Sequence, residues 1–235
     1  MSVEVLTTKD TAEWWQYLHQ LPDNYQHIHF IPEYHKLMES NGDGKARLFV
    51  KSGRDGLFFY PFMLRDIKKI GDKVIELDYH DVSSVFGYTG PLVFSDSTSF
   101  LQESQKQLRE YFRANKVITE MIRYNPILGN NDYQAENLKN VAVKEYVYLD
   151  FPSNVDELTS IYSSRMQTYL NKAVRMGLEV RITRSREEVF DFFDLYYQHM
   201  QDIDVDNYYL FSDDYFTKLF ELIQNYGYLI YAKLG

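Results

Sequence analysis

The order of predicted elements at the start of the chain recurs near its end, and this recurrence constrains the fold more than any single motif. Both stretches predict a strand, an aromatic-rich helix, a second helix and a strand. The first set covers residues 2–7, 10–20, 31–42 and 47–52. The second set covers residues 178–184, 186–200, 212–225 and 228–235. Such recurrence indicates an internal repeat.

Local residue matches support the repeat. Phe30-x-x-Glu33-Tyr34 resembles Phe211-x-x-Asp214-Tyr215, and residues 47–53 resemble 229–235, which aligns Lys51 with Lys233 and Gly53 with Gly235. The alternative is that any two units of two helices and a strand look alike. If the repeat is real, the second copy ends where the first continues with three strands and a helix. We therefore expect this sequence to be part of a longer chain.

The middle of the chain mixes strands and helices. Strands are predicted at 57–67, 73–79, 89–94, 117–126 and 141–151, with helices at 97–116 and over a pair spanning 154–176. This pattern predicts an α+β fold with one complete copy over 1–150 and the first half of a second copy over 151–235.

Composition excludes several kinds of chemistry. The chain of 235 residues has no cysteine, so disulfides, thiolate catalysis and cysteine-bound zinc are excluded. His27-x-His29 has no third ligand at metal spacing, and the acidic stretch 202–213 departs from a calcium loop, so we predict no metal site. Neither a signal peptide nor an apolar run long enough to cross a membrane is present, so we expect a cytoplasmic protein.

The element order and several short motifs together resemble a known family. Strand, two helices, antiparallel strands, long helix and strand is the order of the GNAT acyltransferase fold. Two such copies with a basic helix entering the second resemble the FemAB-like aminoacyl- and acyltransferases, which build peptidoglycan bridges. The motifs that carry this resemblance are Phe30-IPEY-His35, FGYTGPLVF at 86–94, MIRYNPILGN at 121–130 and SSRMQTYLNKAVRMGLEV at 163–180. Tyr34 replaces the tryptophan usual in the first motif, and Asn125 replaces the histidine usual in the third.

The resemblance implies transfer of an aminoacyl or acyl group onto an amine of a cell-wall or polysaccharide precursor. Expected partners are a phosphate-bearing cell-wall or sugar precursor and tRNA, with peripheral contact to a membrane as a further expectation. No resident cofactor is implied, because the donor would be aminoacyl-tRNA or an acyl thioester. Substrate-binding positions carried over from the motifs are Arg165, Lys36, Tyr88 and Arg123.

The basic helix has two interpretations. Arg165, Lys172 and Arg175 fall within about 80° of one another around a helix. Residues 187–217 contain nine acids and no base, so the cations could pair with that segment. Alternatively they form a site for a pyrophosphate or a tRNA backbone, because cations on a rigid helix hold phosphate oxygens well.

Acyl transfer also needs a group that accepts a proton. Asp78, His80 and Asp81 are the candidate acid–base residues, although the same stretch could be a solvated loop. The glycine-rich loop that holds the pyrophosphate of coenzyme A occurs nowhere in the sequence. Two alternative functions stay open, namely coenzyme A- or carrier-dependent N-acylation of an amino sugar or other amine, and a binding module without catalysis.

Overall fold

The computed structural model describes residues 2–133, 135, 138–151 and 153–234. It is a mixed α+β structure that divides into two compact units, Met1–Val141 and Ala142–Gly235. None of the helices in these ranges is both long and apolar enough to cross a bilayer.

The first unit is a mixed sheet covered by helices. Its strands are β1 (Ser2–Leu6), β2 (Lys45–Gly53), β3 (Gly56–Asp66), β4 (Lys69–Ile70), β5 (Lys73–Val74), β6 (His80–Ser83), β7 (Leu92–Phe94) and β8 (Val117–Met121). Its helices are α1 (Thr11–Leu18), α2 (Pro32–Ser40) and α3 (Thr98–Ala114). The main sheet has the order β1-β2-β3-β6-β8, with β7 also paired to β3, while β4 and β5 form a separate hairpin. Among the strands described, only β6 and β8 pair in parallel, and the chain between them contains β7 and α3.

The side of β3 that faces β6 and β7 is interrupted at Pro61. On its other side β3 pairs with β2 without a break, through the partners Leu48 and Pro61. On the interrupted side, β6 stops pairing at Met63 and β7 begins at Phe59. A proline has no N–H to donate to a sheet ladder, so a break at this position costs little hydrogen bonding. The chain uses the break to form the loop 84–91.

Aromatic side chains form the core between the sheet and α3. The cluster consists of Phe49, Phe58, Tyr60, Phe62, Val82, Phe100, Leu108, Phe112 and Tyr133. The ring of Phe62 lies 5.5 Å from that of Phe112 and 5.2 Å from that of Tyr60, measured between centroids. Ser97 is the N-cap of α3, and its hydroxyl accepts from the N–H of Phe100. The apolar face of α3, which includes Phe100, Leu108 and Phe112, packs over these strands.

The second unit contains the same order of strand, two helices and strand with which the first unit begins, and its two helices are longer. It contains α4 (Val155–Ile161), α5 (Ser164–Arg175), β9 (Leu178–Thr183), α6 (Arg186–Asp202), α7 (Asp213–Tyr226) and β10 (Leu229–Leu234). As β1 pairs antiparallel with β2, so β9 pairs antiparallel with β10.

A matching hydrogen bond ties the two helices of each repeat together. In the first unit Trp14 of α1 donates from Nε1 to the carbonyl of Phe30, at 2.9 Å. In the second unit the hydroxyl of Tyr196 in α6 donates to the carbonyl of Tyr209, at 3.0 Å. Each carbonyl lies in the short 3-10 turn that precedes the second helix. Both units therefore use an aromatic donor on the first helix to position the entry of the second.

The structure shifts the predicted strand alignment by one residue. The face of the β1–β2 strand pair that contacts α1 carries Glu4, which accepts from Tyr17 of α1 and is paired with Val50. The helix-facing side of the β9–β10 strand pair carries Tyr231, which donates to Glu188 of α6. Tyr231 therefore lies on the same face of its strand pair as Val50, and Lys233 on the same face as Ser52. The predicted match of Lys233 with Lys51 is wrong, because Lys51 points to the opposite face of the sheet, against Phe100 of α3.

Several other element predictions also need correction. Residues 141–151, predicted as a strand, are neither helix nor strand, and 73–79 forms a strand only at Lys73–Val74. Asp10 occupies the N-cap position of α1, but its side chain does not cap the helix. Its carboxylate instead accepts from the N–H and hydroxyl of Thr7, and these hydrogen bonds lower the pKa of Asp10.

Replacing Phe62 by alanine should lower the free energy of unfolding of the first unit by about 3–5 kcal/mol, because the buried ring leaves a cavity. Chemical denaturation monitored by circular dichroism measures the change. The matched control is Phe94→Ala on β7, whose side chain is 55% exposed and should change stability by about 0.5 kcal/mol or less. Equal losses in the two variants would contradict the assigned core.

Candidate functional site

The loop 84–91 lies where β6 and β8 both end. The carboxyl ends of parallel strands meet at one edge of a sheet, and ligands of open α/β sheets bind outside such ends. The N–H of Arg123, just after β8, donates to the Ser84 hydroxyl at 2.9 Å. The N–H of Thr89 donates to the carbonyl of Arg123, also at 2.9 Å. Hydrogen bonds at Ser84 and Thr89 therefore hold the loop against the residue Arg123 that follows β8.

Two buried asparagines brace this loop. Asn130 donates from its side-chain amide to the carbonyl of Thr89 at 2.8 Å, and its side-chain oxygen accepts from the N–H of Asn125. Asn125 in turn accepts from the N–H of Ile127 at 2.9 Å. The stretch NPILGN therefore has a structural role, because Asn130 holds the loop 84–91 in place. Asn125, which replaces the histidine usual in the motif, accepts a hydrogen bond within its own loop.

Histidine and tyrosine side chains line the outer side of the loop. The hydroxyl of Tyr34 on α2 donates to the carbonyl of Phe86 at 2.7 Å. The ring of His29 lies edge-on to Tyr34 and to Tyr88, with centroid distances of 5.5 and 6.0 Å. Gly87 has φ +111°, and a Cβ there would lie 2.3 Å from Nε2 of His29, so glycine is needed for this approach.

The two histidines of the H-x-H stretch form a neutral pair. Their Nδ1 atoms are 3.0 Å apart, so one ring donates and the other accepts. Burial, followed by the charge of His27, lowers the pKa of His29 to about 4. At neutral pH this pair therefore offers hydrogen bonds to a ligand and carries little positive charge. Sequence reasoning missed His29 as a site residue, although its position directly before the Phe30-IPEY-His35 motif could have indicated it.

The predicted acid–base residues lie at the other end of β6. Arg65 donates to both carboxylate oxygens of Asp81, at 2.7 and 2.9 Å, and Lys116 donates to Asp78 at 2.9 Å. Nε2 of His80 lies 3.2 Å from Asp66. From His80 to Ser84 the strand runs about 13 Å, at about 3.3 Å per residue. The structure therefore places these groups in surface ion pairs and does not bring them to the loop 84–91.

The predicted binding residues of the first unit divide into two groups. Tyr88 and Arg123 both belong to the loop and its anchor at the end of β8, where the Arg123 side chain is exposed. Lys36 is also exposed, but it lies two residues after Tyr34, or about 200° around α2. Tyr34 faces the loop, so Lys36 points away from it.

The basic face of α5, formed by Arg165, Lys172 and Arg175, is exposed. The guanidinium of Arg165 lies 5.6 Å from the ring centroid of Tyr169 and donates to its hydroxyl. Arg175 donates to the carbonyl of Asn171 at 3.2 Å. Among the described side chains, no carboxylate lies within 4 Å of any of the three cations.

The acidic segment therefore does not neutralise α5. Its ion pairs are made locally: Glu188 lies 3.8 Å from Arg181, and Asp214 is paired with Lys218 one turn along α7. The cations of α5 remain available to an anionic ligand. In the part of the chain that the structure describes, no three histidine or acidic side chains are grouped as a metal site requires.

Comparisons with family models, with curated proteins and with solved structures find no match to this chain.

The buried histidine beside this region should make stability depend on pH. Nδ1 of His35 donates to the carbonyl of Ile31 at 3.0 Å, and burial lowers the pKa of His35 to about 4. Unfolded His35 takes up a proton near pH 6.5, whereas folded His35 resists until about pH 4. The free energy of unfolding should therefore fall as pH drops from about 6.5 to about 4, with His35 accounting for about 3 kcal/mol.

Urea titrations across this pH range measure that slope. His35→Gln keeps a donor for Ile31 and removes the titrating ring, so its stability should fall less steeply with acid. His19→Gln, at an exposed position, is the matched control and should keep the wild-type slope. Identical slopes in all three proteins would contradict a neutral buried His35.

Proposed function

We propose that this chain is a FemAB-like transferase, with a GNAT-like first unit, that moves an aminoacyl or acyl group onto an amine of a phosphate-bearing cell-wall or polysaccharide precursor. The observation that carries the proposal is the architecture of the first unit. It runs strand, two helices, antiparallel strands, long helix and strand, in the order that the resemblance implies. The long helix α3 leads from β7 to β8, which pairs in parallel with β6, and the loop 84–91 sits at the edge where β6 and β8 end.

The positions of the motif residues add support. Tyr88 and Arg123 come from motifs separated along the chain, and the main-chain bond from Thr89 to Arg123 brings them together. The same loop is lined by the neutral imidazole of His29, which can accept or donate a hydrogen bond. Such an edge has the ingredients to position a carbonyl or an amine, since transfer depends on holding the reacting groups in place.

The basic face of α5 supports a phosphate-bearing substrate. Arg165, Lys172 and Arg175 lie on one exposed face with no carboxylate partner in the described ranges. Stacking on Tyr169 limits the motion of the Arg165 side chain, so less entropy is lost when the guanidinium binds an anion. Phosphate oxygens accept several charge-assisted hydrogen bonds from such groups.

The reaction can be tested directly. In the proposed step the acceptor nitrogen forms a bond to the carbonyl carbon, the bond to the donor oxygen or sulfur breaks, and the leaving group takes the proton. A radiolabelled amino acid on tRNA and a labelled acyl-coenzyme A should be offered with a nucleotide-linked cell-wall precursor. Transfer from charged tRNA is the expected result. Transfer only from acyl-coenzyme A would favour the N-acyltransferase alternative, and tight precursor binding without transfer would favour a binding module.

Removing one cation from α5 should weaken binding of the precursor. Arg165→Ala is expected to raise the Kd for a UDP-sugar about tenfold, since one charge-assisted hydrogen bond is lost. Isothermal titration calorimetry measures the change. Lys73→Ala on the hairpin β4–β5 removes the same charge from an exposed site and should leave Kd unchanged. Equal affinities for the two variants would contradict the anion site on α5.

A further inference from the structure

The first unit also contains a cavity, which lies away from the loop 84–91. It is lined by residues of α3 and β8 together with Tyr133, Ala135 and Leu138, and has a volume of about 360 Å³. Ligand pockets span roughly 300–1,000 Å³, so this one suits a small molecule. Its walls combine apolar side chains (Leu108, Phe112 and Tyr133) with charged ones from two elements.

One wall provides a carboxylate. Glu120 of β8 lies in the cavity and accepts a hydrogen bond from the Tyr60 hydroxyl, at 2.7 Å, on one of its two oxygens. Its other oxygen has no hydrogen-bond partner among the residues that the structure describes. Burial raises the pKa of Glu120, while the hydrogen bond from Tyr60 lowers it. A ligand with a donor group would satisfy the open oxygen.

The lining also includes two guanidinium groups from α3. Arg109 and Arg113 lie four residues apart on α3, so their side chains occupy the same face, one turn apart. None of the described carboxylates, Glu120 included, lies within 4 Å of either group. Charges of opposite sign therefore line one cavity without pairing to each other.

We propose that this cavity binds a small zwitterion, namely an α-amino acid with an apolar side chain. Its ammonium group would donate to Glu120, and its carboxylate would accept from Arg109 and Arg113. Its side chain would contact Leu108 and Phe112. The proposal does not depend on the transferase reaction, because it rests on residues outside the loop 84–91 and α5.

The arrangement of charges selects this class over simpler ligands. A free anion would interact with the arginines but would lie close to the negative charge of Glu120. A free amine would satisfy Glu120 but would face two guanidinium groups. Only a molecule that carries both charges complements both walls, since like charges placed together are unfavourable.

Ligand variants provide the first test, with L-leucine as the probe. Isothermal titration calorimetry and ligand-observed NMR should detect saturable binding of L-leucine to the whole chain. N-acetyl-L-leucine lacks the ammonium and L-leucine methyl ester lacks the carboxylate, so each should bind about tenfold more weakly or worse. No saturable binding of L-leucine, or equal binding of all three compounds, would overturn the proposal.

Protein variants provide the second test. Glu120→Gln keeps an acceptor for Tyr60 and removes the charge, and Arg109→Gln removes one guanidinium. Each should raise the Kd for L-leucine about tenfold. Lys106→Gln, on the same helix but outside this cavity, is the control and should bind as wild type does. Thermal unfolding followed by circular dichroism verifies that the variants are folded, and wild-type affinity in folded Glu120→Gln and Arg109→Gln would refute the site.

Discussion

Strand β3 is the element on which the first unit depends. It is the one strand that pairs with β2 on one side and with both β6 and β7 on the other. Its residues Leu57–Met63 are buried, so they lose water on both faces, which gives a large hydrophobic stabilisation. Pro61 interrupts pairing on one side only. The same strand therefore provides both the aromatic core and the opening in the sheet at which the loop 84–91 forms.

The two units differ in the helices that cover their antiparallel strand pairs, β1–β2 and β9–β10. In the first unit Phe49 of β2 faces Tyr111 of α3, on the side away from α1. The corresponding face of the β9–β10 strand pair is exposed and entirely apolar. It is formed by Leu178, Val180, Ile182, Ile230, Ala232 and Leu234. In each unit two helices thus cover one face of the strand pair, and among the described elements a helix covers the other face in the first unit alone.

Charge is distributed differently at the three sites. Near His80, Asp81 is paired with Arg65 and Asp78 with Lys116 at the surface, so both carboxylates have cationic partners. On α5 the cations have no carboxylate within 4 Å among the described side chains, and the cavity beside α3 is lined by opposite charges that do not pair with each other. Unpaired charge on a rigid element is the more useful signal of a binding site, because a ligand has something to neutralise.

Sequence periodicity and helix signals predicted most elements well. Proline at the first turn of α2, serine at the N-cap of α3 and of α7, and the 3.6-residue pattern of α3 act within a few residues, so they can be read directly. Tyr88 and Arg123 came instead from the family resemblance, and their role stays a prediction, although a main-chain hydrogen bond joins the motifs that carry them. Local reasoning failed for 141–151, whose alternating apolar residues have strand propensity but no pairing partner in the structure.

What the sequence by itself determined is therefore the type and order of the elements, together with the absence of thiol chemistry. The tertiary structure alone decided which faces and charges meet. A shift of one residue moved Lys51 to the face opposite its predicted counterpart, because side chains alternate along a strand. It also alone revealed Glu120, Arg109 and Arg113 around one cavity, because these residues come to line the same space only through the packing of β8 against α3.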